Sequence, residues 1–288
     1  MGVESRRWGP VLAVVLTVLT VLVVATSLVR INPPTRAERP DEPDLSGERS
    51  MNVTTYLVTD TSLGPRLVSE LVSVVPPAPG KWSGKVPAPL VAALTAAVKG
   101  TSSDPDYRSA FPEGTTVEVS LTADERLLVD LGGVDATVSY GPDDALAMDA
   151  IARTAAANRN VADGLIVAVD GRPLKKLWGH PVADVPGPDA EVLAPVQLAR
   201  PAQGDKVGTT FAITGTALTP DGLVTWALLR EETVVQHGTT SAEPGTRSPF
   251  SIQVKAPPGT YVVQVSVNPG PEANTNLPDR DNKFIEVR

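Results

Sequence analysis

Hydrophobic positions along this chain follow two different periods, and the pattern changes near residue 195. Before that point, alternating apolar runs are mixed with runs whose apolar residues recur every three or four positions, which predicts strands and helices in one domain. After it, the runs are short, alternating and separated by Pro, Gly, Asn and Asp. The pattern therefore predicts an α+β domain followed by an all-β domain.

The first folded region, residues 52–180, is predicted to follow the order β-β-α-β-β-α-β. Two β-rich runs, VTTYLVTD and RLVSELVSVV, are separated by a short turn and predict a hairpin. The helix in APLVAALTAAVKG has Gly100 as its natural stop, and a second helix is expected to begin near Asp143 and Asp144. The remaining strands are TTVEVSL, RLLVDLGG and GLIVAVDGRPL. This order favours one sheet with both helices on one face.

The second folded region, residues 195–288, contains seven alternating runs and no convincing helix. Strands of this length and spacing are typical of an immunoglobulin-like β-sandwich. The residues predicted to fill its core are Phe211, Ile213, Trp226, Leu228, Phe250, Ile252, Val254, Tyr261, Val263, Val265 and Phe284. Because the chain has no Cys, packing alone must hold the two sheets together.

An uncharged stretch rich in Val and Leu predicts an N-terminal transmembrane helix over residues 9–30. At about 1.5 Å per residue it is long enough to cross a hydrocarbon core of about 30 Å. Arg6 and Arg7 precede it, so residues 1–8 are predicted to be a cytoplasmic stub and the later residues to be extracytoplasmic, giving a single-pass protein of the cell membrane. A cleaved signal peptide is the alternative, although the stretch exceeds the ~7–15 residues of a typical secretory segment.

Two proline-rich segments separate these parts of the chain. Residues 31–51 carry four prolines among charged residues and predict a stiff tether between the membrane and the folded domains. Residues 181–194 are rich in Pro and Gly and predict a linker between the two domains.

Composition and charge narrow the chemistry that the chain can perform. Its 288 residues carry 25 Lys and Arg against 33 Asp and Glu, and this net charge of -8 opposes binding to nucleic acid. With 0 Cys and 2 His, thiolate catalysis, disulfides and Cys-ligated or His-rich metal sites are excluded. Asp279, Asp281 and Asn282 resemble part of a calcium loop, but the Gly and the distal Glu of that motif are missing, which favours a solvated strand connection. We therefore predict no cofactor, no metal and no nucleic-acid partner.

The motifs expected of common enzymes are missing as well. There is no G-x-S-x-G, S-x-x-K, Walker A, G-x-G-x-x-G or H-E-x-x-H sequence. His180 and His237 fall in different predicted domains and are interpreted as loop or exposed histidines. Asp104 and Asp106 are interpreted as a surface turn around Pro105 rather than as an acid–base pair.

Both folded regions resemble known bacterial families. The order TTYLVTD, RLVSELVSVV, LVAALTAAVKG, FPEGTTVEVSLTADERLLVDLGG, AMDAIARTAA and GLIVAVDGRPLKKLWGH resembles the GerMN domain of spore-germination proteins. The later runs VQLARPAQGDKV, FAITGTAL, LVTWALL, VVQHGTTSA and PFSIQVKAPPGTYVVQV resemble the companion immunoglobulin-like domain of the Gmad2 type. The resemblance implies a membrane-tethered, non-enzymatic protein of envelope assembly, sporulation or germination. The GerMN fold is similar to ring-building modules, which implies self-association or docking, and the resemblance supplies no catalytic residue.

Two surfaces of the first domain are predicted to bind a partner. The first is a proline-rich loop before the first helix, and such rigid loops lose little entropy on binding. It consists of Pro77, Pro79, Lys81 and Trp82. The second groups cations with an aromatic ring, which suits an acidic protein or a cell-wall polymer. It consists of Arg172, Lys175, Lys176 and Trp178, although a hydrophobic plug at the domain edge is the favoured interpretation of the aromatic residue.

Three functions are consistent with these patterns. The favoured one is a non-enzymatic binding or scaffold protein of the envelope, with the membrane, envelope proteins or further copies of itself, and cell-wall polymer, as partners. An extracytoplasmic ligand sensor acting through a membrane partner would need an apolar pocket of about 300 Å³ or more with convergent polar groups, expected at the domain junction. An enzyme acting on wall polysaccharide through Asp104, Asp106 or Asp130 would need two carboxyl groups about 5–9.5 Å apart across a groove.

Overall fold

The computed structural model of the protein describes residues 50–76, 86–158, 164–182, 192–268, 270 and 278–288. The predicted transmembrane helix over residues 9–30 and most of the tether lie outside these residues. Within them, no helix is both long and apolar enough to cross a membrane. Residues 48–288 form one compact unit that contains both predicted domains.

Within the described residues, the first domain contains two main sheets and a third, short strand pair, rather than the single sheet predicted. Strands β1 (Met51–Thr61) and β2 (Gly64–Val74) form an antiparallel hairpin by themselves. The second sheet has the order β3-β4-β5-β6, and only its β4–β5 pair is parallel. Its strands are β3 (Thr116–Leu121), β4 (Leu127–Gly132), β5 (Leu165–Val169) and β6 (Arg172–Pro173). A short pair, β7 (Lys176–Leu177) and β8 (His180–Pro181), follows.

Side chains of the second helix explain why β1 does not join the larger sheet. The helices are α1 (Ala88–Lys99) and α2 (Asp144–Asn158). The backbone N–H of Tyr56 donates to Thr154 Oγ1 at 3.0 Å, and the N–H of Thr54 donates to Asn158 Oδ1 at 3.2 Å. These α2 side chains occupy the outer edge of β1, so that edge is satisfied without a further strand.

Helix α1 is buried on two sides, whereas the sequence predicted one apolar face. Leu90 and Leu94 lie in the main core together with residues of β3, β4 and β5. On another side, Ala92, Ala93 and Ala96 pack against the hairpin, where they contact the cluster around Val53 and Val72. The helix ends as predicted at Gly100, whose φ of 66° places it in the left-handed region.

The second domain is a sandwich of a five-stranded sheet, β10-β16-β15-β12-β13, and a three-stranded sheet, β14-β11-β9. This architecture confirms the predicted immunoglobulin-like organisation, with one additional short strand, β10. The strands are β9 (Val196–Arg200), β10 (Asp205–Val207), β11 (Thr210–Ala217), β12 (Leu223–Arg230), β13 (Thr233–Ser241), β14 (Ser248–Lys255), β15 (Gly259–Val267) and β16 (Asp279–Val287).

One predicted core residue of the sandwich, Phe284, is placed wrongly by the sequence analysis. Its side chain is 47% exposed, while the neighbouring Ile285 and Val287 are buried in the core. The period of two along β16 explains the error, because Phe284 and Ile285 must point to opposite sides of the sheet. The same alternation turns Asp281 and Lys283 inward, on the side of Ile285.

Candidate functional site

The last strand of the chain carries buried charges to the junction of the two domains. In β16, Asp279, Asp281 and Lys283 have the same alternation as Ile285 and Val287, and all three charged side chains are buried. They meet residues of the first domain, contributed by the loop between α1 and β3 and by the β1–β2 turn. Buried charges are rare unless they are paired, so their contacts define the site.

Lys283 is the centre of this cluster. Its Nζ donates to Asp104 Oδ2 at 2.6 Å and to Asp281 Oδ1 at 2.7 Å. It also donates to the hydroxyl of Tyr107 and lies 4.3 Å from the centroid of that ring. One cation from the second domain is thus held by a carboxylate and a phenol of the first domain and by a carboxylate of its own strand.

Asp281 uses both of its carboxylate oxygens. Oδ1 accepts from the Tyr107 hydroxyl at 3.1 Å, and Oδ2 accepts from the backbone N–H of Leu198 at 2.6 Å. Burial raises the pKa of Asp281 above its ordinary value, against the opposing effects of Lys283 and of the Leu198 N–H. Burial also raises the pKa of Tyr107, and the negative charges of Asp281 and Asp104 add to that increase. The phenol therefore remains protonated and acts as a donor.

Two interpretations from the sequence are corrected by this geometry. The turn around Pro105 forms, with the N–H of Tyr107 donating to the carbonyl of Asp104 at 3.3 Å and with Asp106 exposed, but the Asp104 side chain is only 3% exposed and points into the junction. Asp279 and Asp281 are buried members of a strand and not part of a solvated connection. The signal that was missed is the regular alternation of Asp279, Asp281 and Lys283 with the apolar residues that follow them. A charged residue at an inward strand position predicts a buried partner.

Further polar contacts extend the junction along the hairpin. Asp279 accepts from Ser62 through both its backbone N–H, at 2.6 Å, and its hydroxyl, at 2.8 Å. Gln197 of β9 accepts from the N–H of Ser69 at 3.2 Å and donates to the carbonyl and hydroxyl oxygens of that residue. The N–H of Ala194 donates to the carbonyl of Leu67 at 2.9 Å. These contacts hold the second domain against strand β2 and the turn that precedes it.

A groove of about 410 Å³ opens at the same junction. Leu71 and Ser73 of β2 line one wall, Ala199 and Arg200 line another, and Lys283 borders it. Its size meets the pocket requirement stated for a ligand sensor, and it lies at the domain junction where that pocket was expected.

The carboxylates considered for catalysis have separate surroundings. Asp104 is ion-paired with Lys283. Asp106 is exposed and accepts from Asn282 at 3.5 Å, while Asp130 accepts from the backbone N–H of Gly171 at 3.0 Å. Within the described ranges, no group of three or more His, Asp or Glu side chains is arranged to hold a metal ion.

The predicted partner-binding residues divide into two groups. Pro77, Pro79, Lys81 and Trp82 lie outside the described residues. Arg172, Lys175 and Lys176 are exposed. The partner-binding role of both groups stays a prediction.

Trp178, the aromatic member of the predicted basic surface, lies inside the core. It is 5% exposed, and its Nε1 donates to the carbonyl of Asp135 at 3.0 Å. Its ring makes edge contacts with Phe111 and Tyr140, at centroid distances of 5.8 and 5.4 Å. The side chain therefore packs as the hydrophobic plug that the sequence favours, and the cations beside it form the accessible part of that surface.

Comparisons with known protein families match both domains. A family model described as sporulation and spore germination matches residues 48–175. A model described as the immunoglobulin-like domain of bacterial spore germination matches residues 195–269. No match was found among curated proteins.

Solved structures with similarity to the chain include two from Bacillus subtilis. The tandem GerMN domains of the sporulation protein GerM share 14% identity at a TM-score of 0.38, with 72% of this chain and 62% of that one covered. The first GerMN domain of the same protein shares 18% identity at a TM-score of 0.36, with 48% of this chain and 97% of that one covered. The chain thus spans 62% of the tandem-domain structure.

Proposed function

The chain combines a sporulation and spore germination domain with an immunoglobulin-like domain of bacterial spore germination, and from this premise we propose that it is a non-enzymatic binding or scaffold protein of the cell envelope. In this role the two domains act as one unit that presents surfaces to other envelope proteins or to further copies of the chain. The family matches support the association with sporulation or germination. The scaffold role is our inference from the junction.

One observation carries the proposal: a cluster of buried charged side chains holds the two domains together. Lys283 forms ion pairs with Asp104 and Asp281, and it donates a hydrogen bond to Tyr107. A general acid or base must reach a substrate proton, and these groups instead bond to each other across the junction. The arrangement therefore suits a scaffold protein, because it fixes the position of one domain relative to the other.

The proposal includes a single-pass anchor with an extracytoplasmic location. It is supported by the uncharged stretch within residues 9–30 and by Arg6 and Arg7 before it. Residues 31–51, with their prolines, then act as the tether between the membrane and the compact unit. The membrane-distal domains bind envelope proteins, other copies or wall polymer.

The groove at the junction supports a second candidate, an extracytoplasmic sensor that acts through a membrane partner. A sensor requires that occupancy of the groove changes the complex with that partner. A scaffold retains the same complex whether or not the groove is filled. Comparing the complex with and without a groove ligand therefore separates the two functions.

The absence of Cys from the chain allows a clean test of location and partner. Single Cys residues are introduced at exposed positions of each domain, Val138→Cys and Leu223→Cys, with Ser5→Cys as the control in the predicted cytoplasmic stub. In intact cells, a membrane-impermeant maleimide should label the first two and label Ser5→Cys only after lysis. A bifunctional crosslinker at the labelled positions should then join the chain to a discrete envelope protein or to a second copy. Labelling of Ser5→Cys alone in intact cells would contradict the proposed orientation.

A further inference from the structure

The outer edge of strand β2 has a regular hydrogen-bonding pattern. In an antiparallel pair, the N–H and C=O of one residue point to the same side, and this side alternates along the strand. Ser69 directs both groups away from β1, because both bond to Gln197. The residues two and four positions further on, Leu71 and Ser73, therefore also direct their backbone groups outward.

The first half of this edge is covered by the second domain. The N–H of Ala194 donates to the carbonyl of Leu67, and Leu193 forms a parallel bridge with Leu67. The carboxamide of Gln197 then bonds to the N–H and C=O of Ser69 in the way that a neighbouring strand residue would. The domain junction is thus already a form of strand addition to β2.

The second half of the edge is open. Among the residues that the structure describes, none makes a hydrogen bond to the outward backbone groups of Leu71 or Ser73. Both residues line the groove of about 410 Å³, and the Leu71 side chain is 58% exposed. Ala199 and Arg200 of β9 line the same groove, so the groove separates this part of β9 from Leu71 and Ser73 of β2. Unpaired strand edges of this kind are templates for another chain.

We propose that an extended peptide segment of a partner protein adds to β2 in this groove, pairing with the backbone of Leu71 and Ser73. The site continues the existing interface along the same strand, which argues for a strand rather than a helix or a small solute. Glu70, Asp205 and Arg200 border the groove, while the charge of Lys283 beside them is already neutralised within the buried cluster. Because the groove presents the outward backbone groups of Leu71 and Ser73 and the 58% exposed side chain of Leu71, the segment is recognised through its backbone, with an aliphatic side chain against Leu71.

This inference deepens the proposed binding role and rests on it. It is tested by substitutions that change one backbone donor. Leu71→Pro removes an N–H that β1 does not use, while Leu71→Ala keeps that N–H and removes the side chain. Pro65 already occupies an outward position of the same strand, two residues before Leu67. Ser73→Pro and Ser73→Ala form a second matched pair.

The probe is a display library of random heptapeptides, selected against residues 48–288, which contain both cores and form one compact unit. The selected peptides are synthesised, and their affinities are measured by fluorescence polarisation. Leu71→Ala should bind within about threefold of the unsubstituted unit, whereas Leu71→Pro and Ser73→Pro should bind about tenfold more weakly or worse, because each leaves a carbonyl of the peptide without its donor. Circular dichroism establishes that the variants are folded.

Two results would overturn the proposal. The first is that no peptide is selected, or that the selected peptides bind Leu71→Pro as well as Leu71→Ala. The second is a dimer, detected by light scattering, that Leu71→Pro abolishes, since the occupant would then be a second copy. The crosslinked envelope complex is measured separately with the introduced Cys residues. If that complex survives Leu71→Pro, the groove is not the docking site and the scaffold role stands.

Discussion

Lys283 is the cation that two buried carboxylates share, and its removal should be costly for that reason. Lys283→Met would leave Asp104 and Asp281 buried without a counter-charge. Breaking a buried ion pair on one side costs about 3–5 kcal/mol, and we expect a loss of that size in the free energy of unfolding, measured by denaturant titration.

The matched control for this substitution is Lys206→Met. Lys206 is exposed and lies 3.9 Å from Glu286, a surface ion pair of the kind that contributes little to stability. If Lys283→Met were no more damaging than Lys206→Met, the cluster would not be what joins the domains.

The raised pKa of Asp281 predicts the direction in which the free energy of unfolding changes with pH. Because the folded protein holds this proton more tightly than the unfolded chain, Asp281 adds stability at low pH and loses that contribution as pH rises through the folded pKa. The unfolding free energy of the wild type relative to Asp281→Asn should therefore increase as pH falls from 7 towards 3.8, the ordinary carboxyl value. Denaturant titrations of both proteins across this range measure the difference. A difference that decreases on acidification would show that the ion pair with Lys283 outweighs burial.

Single positions also show what the sequence alone could and could not predict at this scale. The alternation in β16 was visible, and applying it strictly would have placed Phe284 outside and Lys283 inside. Which residues neutralise Lys283 was not visible, because Asp104 and Tyr107 lie more than 170 positions away along the chain. Such a pairing depends on how the two domains meet, and local periodicity holds no information about that contact.

At the scale of elements, the close approach of β9 to β11 fixes the position of the junction. A Cβ added at Gly215 would lie 2.1 Å from the carbonyl oxygen of Gln197 and 2.6 Å from the ring of Phe250. Gly215→Ala must therefore displace β9, and we expect a loss of about 3 kcal/mol or more in unfolding free energy. The Gln197 contacts to Ser69 should weaken with it, which amide hydrogen exchange at Ser69 would detect.

Gly208→Ala is the control for this prediction, because the nearest atom to its added Cβ is 3.9 Å away. It should change the unfolding free energy by about 0.5 kcal/mol or less. Equal stability of the two variants would mean that β9 can shift without cost and that the junction is not held as described.

The elements themselves were largely predictable from local patterns. The hairpin, both helices, the Gly100 stop and the sandwich all follow from period, turn residues and caps. The division of the first domain into two sheets did not follow, since it depends on Thr154 and Asn158 of α2 reaching the edge of β1. The hydrophobic period indicates only which residues face the core, so it cannot predict that polar side chains take the place of a neighbouring strand.

At the scale of the whole molecule, two domains that match spore-germination families, a buried junction and a groove form the proposed binding unit. Each domain has its own hydrophobic core. Polar contacts between them hold the Gln197 side chain of β9 against Ser69 of β2. This placement creates the groove and leaves half of the β2 edge open, and neither domain has the groove alone.

The central claim is that the chain works by assembling with other envelope components. The most direct measurement is the mass of the full-length protein, extracted from membranes in mild detergent and analysed by light scattering with the detergent contribution subtracted. The account predicts a protein mass well above the 30.1 kDa of one chain, with a fixed ratio of the chain to a partner or to further copies of itself. A protein mass of one chain in every extract, with no associated protein, would contradict it.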